Sequence, residues 1–415
     1  MIVSDTLVGI DIGTTKVCTV VARVGSHDGE ISIIGIGRAP SRGLRKGRVV
    51  DLDRTIQSIT ESKKQAEHVA GVEIDSAYIG ITGSHVEATP ANAVVAVTNP
   101  QRGITAEDAE RALDLAKRVE IPQGRRLIDA RVKEYIVDGN IGIMDPVGMS
   151  GMRLEVNALL ITAASNQLEN IYRAVDHAGM DVEDAVIAPI ASSEAVLSED
   201  EKEIGVAVID IGGGTTDLVV FQQGGISHLA VYPVGGDHFD SDLAYGIGIT
   251  SRQAEHLKVQ LGGVSRQYLM SEDLIEISKS GGEKKEAIPL KIIGEIIFPR
   301  LEEILRLVNR ELRETGLISQ IPSGIVLTGG TSMLTGIMEL ASEVFGVQVR
   351  IGYPTDIAGL SEEVRNPMYA TSVGLIKLGS YEYRERYPRG IPAGFPAAFD
   401  TARDWTKTVL RSIFR

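Results

Sequence analysis

A strand that ends in aspartate and turns over glycine into threonine occurs twice in this chain. That repetition limits the fold more than any other feature. Residues 7–16 read Leu-Val-Gly-Ile-Asp-Ile-Gly-Thr-Thr-Lys, and residues 206–217 read Val-Ala-Val-Ile-Asp-Ile-Gly-Gly-Gly-Thr-Thr-Asp. In each, an apolar β-branched run is the strand signal and the Asp-x-Gly corner is the turn signal. Glycine lets a backbone approach a ligand closely, and consecutive turn amides cradle anions. Two such cradles face to face would hold a polyphosphate and its metal between two halves of an α/β protein. One Asp-x-Gly alone is an ordinary turn; the matched pair points to a nucleotide.

Composition permits that architecture. The chain has 415 residues, 43% hydrophobic and 24% charged, enough for two packed lobes with their own cores. A net charge of −14 argues against a nucleic-acid partner, because such proteins show a basic face. The only cysteine, Cys18, lies in an apolar run and reads as core, so neither an internal disulfide nor a cysteine metal cluster is expected. The first residues lack a basic region followed by an apolar block, and no apolar stretch is long enough to span a bilayer. A cytosolic protein is the expectation.

The pass along the chain gives strands at 17–24, 31–37 and 78–83 and a helix at 51–70 closed by Gly71. Between 84 and 162 the pattern changes: strands at 93–97, 127–137 and 154–162 surround a helix at 105–118, opened by a capping box of Thr105 and Asp108. This stretch reads as an inserted subdomain, because the βα pattern resumes only at 166–178. Residues 1–83, 163–195 and 360–380 then form the first lobe. Residues 196–359 form the second, with a smaller helical subdomain at about 240–315, where Pro299 is expected to kink or split a helix over 290–314. Residues 381–398, with charges, three prolines and no periodicity, read as a flexible linker.

Residues 399–415 differ from the rest. Ala402, Trp405, Val409, Leu410, Ile413 and Phe414 fall at helical spacing, and Arg403, Lys407, Arg411 and Arg415 recur every fourth residue. A basic amphipathic helix with aromatic residues on its apolar side suits an anionic lipid interface.

At the corners, Gly13, Thr14, Thr15, Gly212, Gly213, Gly214, Thr215 and Thr216 offer amides and hydroxyls to phosphate oxygens, and Lys16 offers a point charge. Asp11 and Asp210 end their strands, where ligands of open α/β sheets collect. Magnesium typically takes one or two carboxylates plus phosphate oxygens and water, and these two aspartates fit that role.

The corners, together with Ile325-Val-Leu-Thr-Gly-Gly-Thr-Ser332, resemble the two phosphate motifs and the adenosine motif of the actin-like ATPases, which include heat-shock chaperones and sugar kinases. The connecting motifs resemble 189–197 and 366–374. Within that superfamily the chain is most similar to the FtsA family of bacterial division proteins. The supporting residues are Lys46-Gly-Arg-Val-Val-Asp51, Gly83-Ser-His-Val, Val94-Val-Ala-Val97, and the linker with its terminal helix.

The resemblance implies a two-lobed actin-like fold with an insert in the first lobe, binding ATP and Mg2+. It implies that Glu255 and Lys258 contact ribose and adenine, that Gly329, Gly330 and Met333 lie against the adenosine, and that Glu194 orients the attacking water. Any hydrolysis would be slow in-line attack aided by positioning and charge; His238 reads as local structure. The resemblance further implies a protein that polymerises and links FtsZ to the cytoplasmic face of the membrane at the septum. The acidic FtsZ tail would dock near Lys291, Arg300 and Arg306, and the insert would meet other division proteins. The rival readings are a small-molecule kinase on the same fold, for which no substrate-pocket base stands out, and an actin-like pilus-assembly scaffold.

Overall fold

The structure, a computed structural model, describes residues 6–25, 30–278 and 285–386. The amphipathic segment 399–415 lies outside the described residues, as does 387–398 of the linker.

The repeated corner is a repeat of topology. The strand Thr6–Ile12 pairs antiparallel with Lys16–Val24, which pairs antiparallel with Ile31–Pro40. On its other side Thr6–Ile12 runs parallel to Ser76–Ile81, and that strand parallel to Asp181–Ile187. In the second lobe Val206–Ile211 pairs antiparallel with Thr216–Gln222, and that with Gly225–Tyr232. Ile325–Thr328 and then Val349–Ile351 lie parallel on the other side. The strand order is the same in both sheets, apart from the short edge strand Ala358–Gly359 added to the first. Both corner strands are central, which is why they read as unbroken apolar runs. Ile10, Val20, Ile209 and Val219 are fully buried, and Cys18 is a buried free thiol.

The insert has its own sheet, ordered Val86–Ala96, Arg153–Ala164, Arg125–Val137, Asn140–Ile143. The helix Ala106–Ala116 covers it through Ala109, Ala112 and Ala116. The capping box forms: Thr105 Oγ1 accepts from the Asp108 amide at 3.2 Å, and Asp108 Oδ2 accepts from the Thr105 amide at 3.1 Å.

Three expectations are corrected. The helix Lys291–Glu314 is not split at Pro299. A proline costs a helix interior roughly 3 kcal/mol. Burial of Ile293, Ile297, Leu301, Ile304, Leu305, Val308 and Leu312 along one face outweighs it, at roughly 1.5–3 kcal/mol for each side chain. The smaller subdomain is not purely helical, because Leu274–Ser278 and Lys285–Pro289 pair as an antiparallel hairpin. Ile277 and Ile288 turn inward there while Leu274 faces solvent, a period of two. Finally, the last helix, Ala370–Arg386, extends into the segment read as linker. The Tyr78 hydroxyl donates to Glu382 at 3.3 Å and holds that extra turn.

The lobes meet along the helix Ala188–Val196, which crosses the last helix at Gly374. A Cβ on Gly374 would overlap the Ala191 carbonyl, so only glycine permits the crossing.

Candidate nucleotide site

The two corners close with the same hydrogen bond. The Gly13 amide donates to the Lys16 carbonyl at 3.0 Å, and the Gly212 amide donates to the Thr215 carbonyl at 2.9 Å. Each turn thereby projects its middle residues toward the other. A Cβ on Gly213 would overlap Thr15, and one on Gly214 would overlap Thr14, so the loops touch across the cleft. Among the described residues, the amides of Thr14, Thr15, Gly213 and Gly214 donate to no protein group. Four unpartnered amides at a cleft fit an anion with several acceptor oxygens.

A third turn backs the second corner. The Gly236 amide donates to the Gly212 carbonyl at 2.9 Å and the Asp237 amide to the Gly213 carbonyl at 2.8 Å. Thr331 Oγ1 donates to the same Gly212 carbonyl at 3.2 Å, which ties the turn Gly330–Met333 to the second corner. Lys258 Nζ donates to the Gly236 carbonyl at 3.0 Å and to Asp240 Oδ2 at 2.7 Å. Glu255, on the same helix, is exposed. Gly329 has φ 82 and stands so close to Asp210 that a Cβ would overlap Oδ1. Gly330 and Met333 follow in one 3-10 turn, with Met333 49% exposed. His238 keeps a local role: its Nδ1 accepts from the Gly235 amide at 3.2 Å.

Charge converges beneath the loops. Lys16 Nζ donates to Asp11 Oδ2 at 3.1 Å. Burial alone would lower the Lys16 ammonium; the pull of Asp11 and Asp210 wins and raises it. Burial, and then the charge of Asp11, push Asp210 up to about 6. Directly opposite Asp210 in the strand register stands Asp217. Burial, and then the charge of Asp210, push Asp217 up to about 8. Asp217 Oδ2 accepts from Thr82 Oγ1 at 2.7 Å, while its Oδ1 is buried without a partner. Asp210 and Asp217 are both held up by burial and by neighbouring carboxylate charge, which a divalent cation would relieve. No cluster of three metal-ligating side chains occurs among the described residues. Asp11 and Asp210 with phosphate oxygens and water would complete a magnesium shell.

Two expected site residues turn elsewhere. Thr216 Oγ1 donates to the Val234 carbonyl at 2.9 Å. Side chains alternate along a strand, so Thr215 and Asp217 face the cleft and Thr216 does not. Glu194 is not brought to the loops. Ile190 and Glu194, one turn apart on the same helix, both line the side that faces Leu378 and Phe221. There Glu194 Oε1 accepts from the buried Lys202 Nζ at 2.8 Å.

Asp217 and Thr82 had no assigned role in the sequence reading. A carboxylate inside the apolar run Thr216–Gln222 was the available signal for Asp217; nothing marked Thr82. The Lys46-Gly-Arg and Gly83-Ser-His motifs also meet here. The Gly47 amide donates to Thr14 Oγ1 at 3.0 Å, and Gly47 packs against Gly83 so closely that neither tolerates a Cβ.

The family model for the cell division protein FtsA matches residues 207–374, and that for the SHS2 domain inserted in FtsA matches residues 83–162. The chain is 40% identical over 373 residues to FtsA of Pseudomonas aeruginosa, covering 90% of this chain and 89% of the relative. It is 38% identical to FtsA of Bacillus subtilis over 374 residues, covering 90% and 83%. With FtsA of Escherichia coli K12 it shares 37% over 380 residues, covering 90% of each. Among solved structures, a chain of the PilM-PilN type IV pilus biogenesis complex matches with TM-score 0.66 and 19% identity, covering 90% of this chain and 98% of that one. MreB5 of Spiroplasma citri bound to ADP matches with TM-score 0.56 and 16% identity, covering 92% and 98%. The fold is the actin-like two-lobed fold with an SHS2 domain inserted in the first lobe, as the motifs led one to expect.

Proposed function

Because the chain belongs to the FtsA family of cell division proteins, we propose that it binds ATP and Mg2+ between its corner loops, polymerises, and tethers FtsZ filaments to the cytoplasmic face of the membrane at the septum. The observation that carries the nucleotide reading is the pair of facing turns, whose four unpartnered amides lie above Asp11 and Asp210. Thr14, Thr15, Gly213 and Gly214 would hold phosphate oxygens, and Lys16 would place a positive charge among them. Gly329, Gly330, Met333, Glu255 and Lys258 would receive the nucleoside. A magnesium ion at Asp11 and Asp210 would neutralise phosphate charge. The chain's own contribution is positioning: both loops are braced by backbone hydrogen bonds, so little reorganises on binding.

The tether reading rests on 399–415, with Trp405, Val409, Leu410, Ile413 and Phe414 toward acyl chains and Arg403, Lys407 and Arg411 toward headgroups. Each basic residue near an anionic surface contributes about 1 kcal/mol, so one helix is a modest anchor that gains when filaments present many copies. The FtsZ tail would meet the helix Lys291–Glu314. Arg300 there is already engaged by Asp242 and Glu303. Arg306 shares a hollow of about 360 Å³ with Arg310, Arg313 and a single carboxylate, Glu314, a net basic lining that suits an acidic peptide. The insert would meet other division proteins or the next subunit.

Calorimetric titration with Mg-ATP tests the first reading, and absence of binding by the folded chain would end it. Co-sedimentation with phosphatidylglycerol vesicles tests the second: Trp405→Glu should release the chain from vesicles with ATP affinity unchanged. Full sedimentation of that variant would remove the tail as anchor.

A further inference from the structure

On the side of the helix Ala188–Val196 opposite Ser192 lies a cavity of about 690 Å³ that the nucleotide reading does not use. Three bodies build it: Val132 and Met144 of the insert, Ile190, Leu378 and Tyr381 of the first lobe, and Phe221 of the second. Its size falls in the range of ligand pockets, roughly 300–1,000 Å³. The buried charges in it are matched, since Lys202 Nζ donates to Glu194 and to Glu199 at 2.8 Å each. Arg131 at the edge is bonded to Asp129 at 2.7 Å. Further acidic charge stands beside the cavity. In the helix Glu199–Ile204, Asp200 and Glu203 are exposed, and Glu203 Oε2 stands 3.3 Å from where a Cβ on the lining residue Gly224 would be. A hollow with Val132, Met144 and Leu378 half-buried on its walls, and an acidic helix beside it, is the complement of a basic amphipathic helix.

We propose that this cavity is the resting site of the chain's own terminal helix, 399–415, when no membrane is at hand. Position argues for it first. Tyr381 lines the cavity, and the described chain ends at Arg386, about 7.5 Å further along the same helix. Residues 387–398 can span at most roughly 40 Å, which keeps the helix within reach of this cavity. Chemistry argues next. An apolar stripe of Trp405, Val409 and Ile413 is costly to leave in water, and the half-buried walls at Val132, Met144 and Leu378 would take it. Arg403, Lys407 and Arg411 would then lie toward Asp200 and Glu203. The same stripe cannot occupy the cavity and a bilayer together, so docking competes with membrane binding. Because the insert and both lobes build the walls, any movement among them alters the site.

The proposal rests on reading 399–415 as an amphipathic helix. Its test is separate from the vesicle experiment above, because it is read without membranes. Trp405 is the only tryptophan in the chain, so its fluorescence reports the tail alone. In vesicle-free buffer the full chain should emit at shorter wavelength, and be quenched less by acrylamide, than the same chain unfolded in guanidinium chloride. The double variant Asp200→Lys/Glu203→Lys alters only exposed residues and should move both readings toward the unfolded reference. Leu378→Glu should do the same and should bind phosphatidylglycerol vesicles more tightly, although it adds negative charge. The gain would be about tenfold if the wild-type tail is free in one molecule in ten. A native Trp405 as accessible as in the unfolded chain would overturn the proposal. So would protection that survives both changes, or protection that rises with protein concentration, which would place the tail on a second copy.

Discussion

Thr82 Oγ1 donates to Asp217 Oδ2 at 2.7 Å, and through that bond the first lobe holds the second beside Asp210. Thr82 directly follows the strand Ser76–Ile81 and precedes the insert; Asp217 is the last residue of the second corner. Thr82→Val keeps the shape and removes the donor, leaving a buried carboxyl without its partner. The expected cost is about 1–3 kcal/mol. It would be read as a lower urea midpoint at unchanged m-value, with Thr82→Ser restoring most of it. A valine variant as stable as wild type would mean that the bond does not couple the lobes.

The raised carboxyls make stability depend on pH in a defined direction. Asp210 is pushed to about 6 and Asp217 to about 8, both above the ordinary aspartate value of 3.8. Between the ordinary and the raised values the folded state binds more protons than the unfolded one, so stability falls as pH rises through that window. The charge of Asp210 is among the causes of the Asp217 shift, so the two titrations are linked. In metal- and nucleotide-free buffer the melting temperature should therefore drop between pH 5 and pH 8, and Asp217→Asn should flatten the slope. An equally steep slope in that variant would assign the effect elsewhere.

Gly213 tests the closeness of the loops. A Cβ there would overlap Thr15 across the cleft. Gly213→Val should therefore force the corners apart and abolish Mg-ATP binding in calorimetry, while circular dichroism keeps the wild-type spectrum. Retained affinity would show that the two loops need not meet around one ligand.

Much of this was legible because it is written in short-range chemistry. The duplicated corner, the Thr105 capping box and the αL glycine at Gly71 depend on neighbours in sequence, and each forms where the residues indicate. What escaped depends on direction or on distant partners. The alternation that turns Thr216 to Val234 while Asp217 faces the cleft needs the strand start to a single residue. The rotation that carries Glu194 away from Asp210 needs the facing of the helix Ala188–Val196. Thr82 is silent in sequence because its partner lies in the other lobe. Pro299 misleads for the opposite reason: a local rule is overridden by a buried face that only the fold reveals.

Glu194 carries an expectation that separates the two assignments. It bonds Lys202 on the cavity side of its helix. Burial would lower the Lys202 ammonium, but attraction to Glu194 and Glu199 raises it. Glu194→Gln should thus leave Mg-ATP affinity and any ATP turnover unchanged. Stability should fall by about 1–3 kcal/mol as a buried ammonium loses an ionic partner, moderated because Glu199 remains. Turnover reduced at least tenfold in a variant of wild-type stability would return this residue to the reaction.

The helix Lys291–Glu314 offers the last test. Arg306, Arg310 and Arg313 are exposed along one hollow, and Glu302 bonds only Arg306, at 2.7 Å. Arg310 and Arg313 thus keep more of their charge for an acidic peptide, although Arg313 also donates to Asn309 at 3.1 Å. Exposed charges act weakly one by one, at about 0.2–1 kcal/mol each. Reversing both with Arg310→Glu and Arg313→Glu changes attraction into repulsion, so affinity for an FtsZ tail peptide should fall roughly tenfold or more, the equivalent of 1.4 kcal/mol. Fluorescence anisotropy would measure it, and the wild-type affinity should weaken steeply with salt because the charges are solvent-exposed. Arg300→Glu serves as the contrast. Its guanidinium is already held by Asp242 and Glu303, so its reversal should cost stability through those contacts and disturb peptide binding less. If Arg300→Glu abolishes binding while the Arg310 and Arg313 reversal leaves it intact, the docking surface lies at the N-terminal half of this helix and the hollow is not part of it.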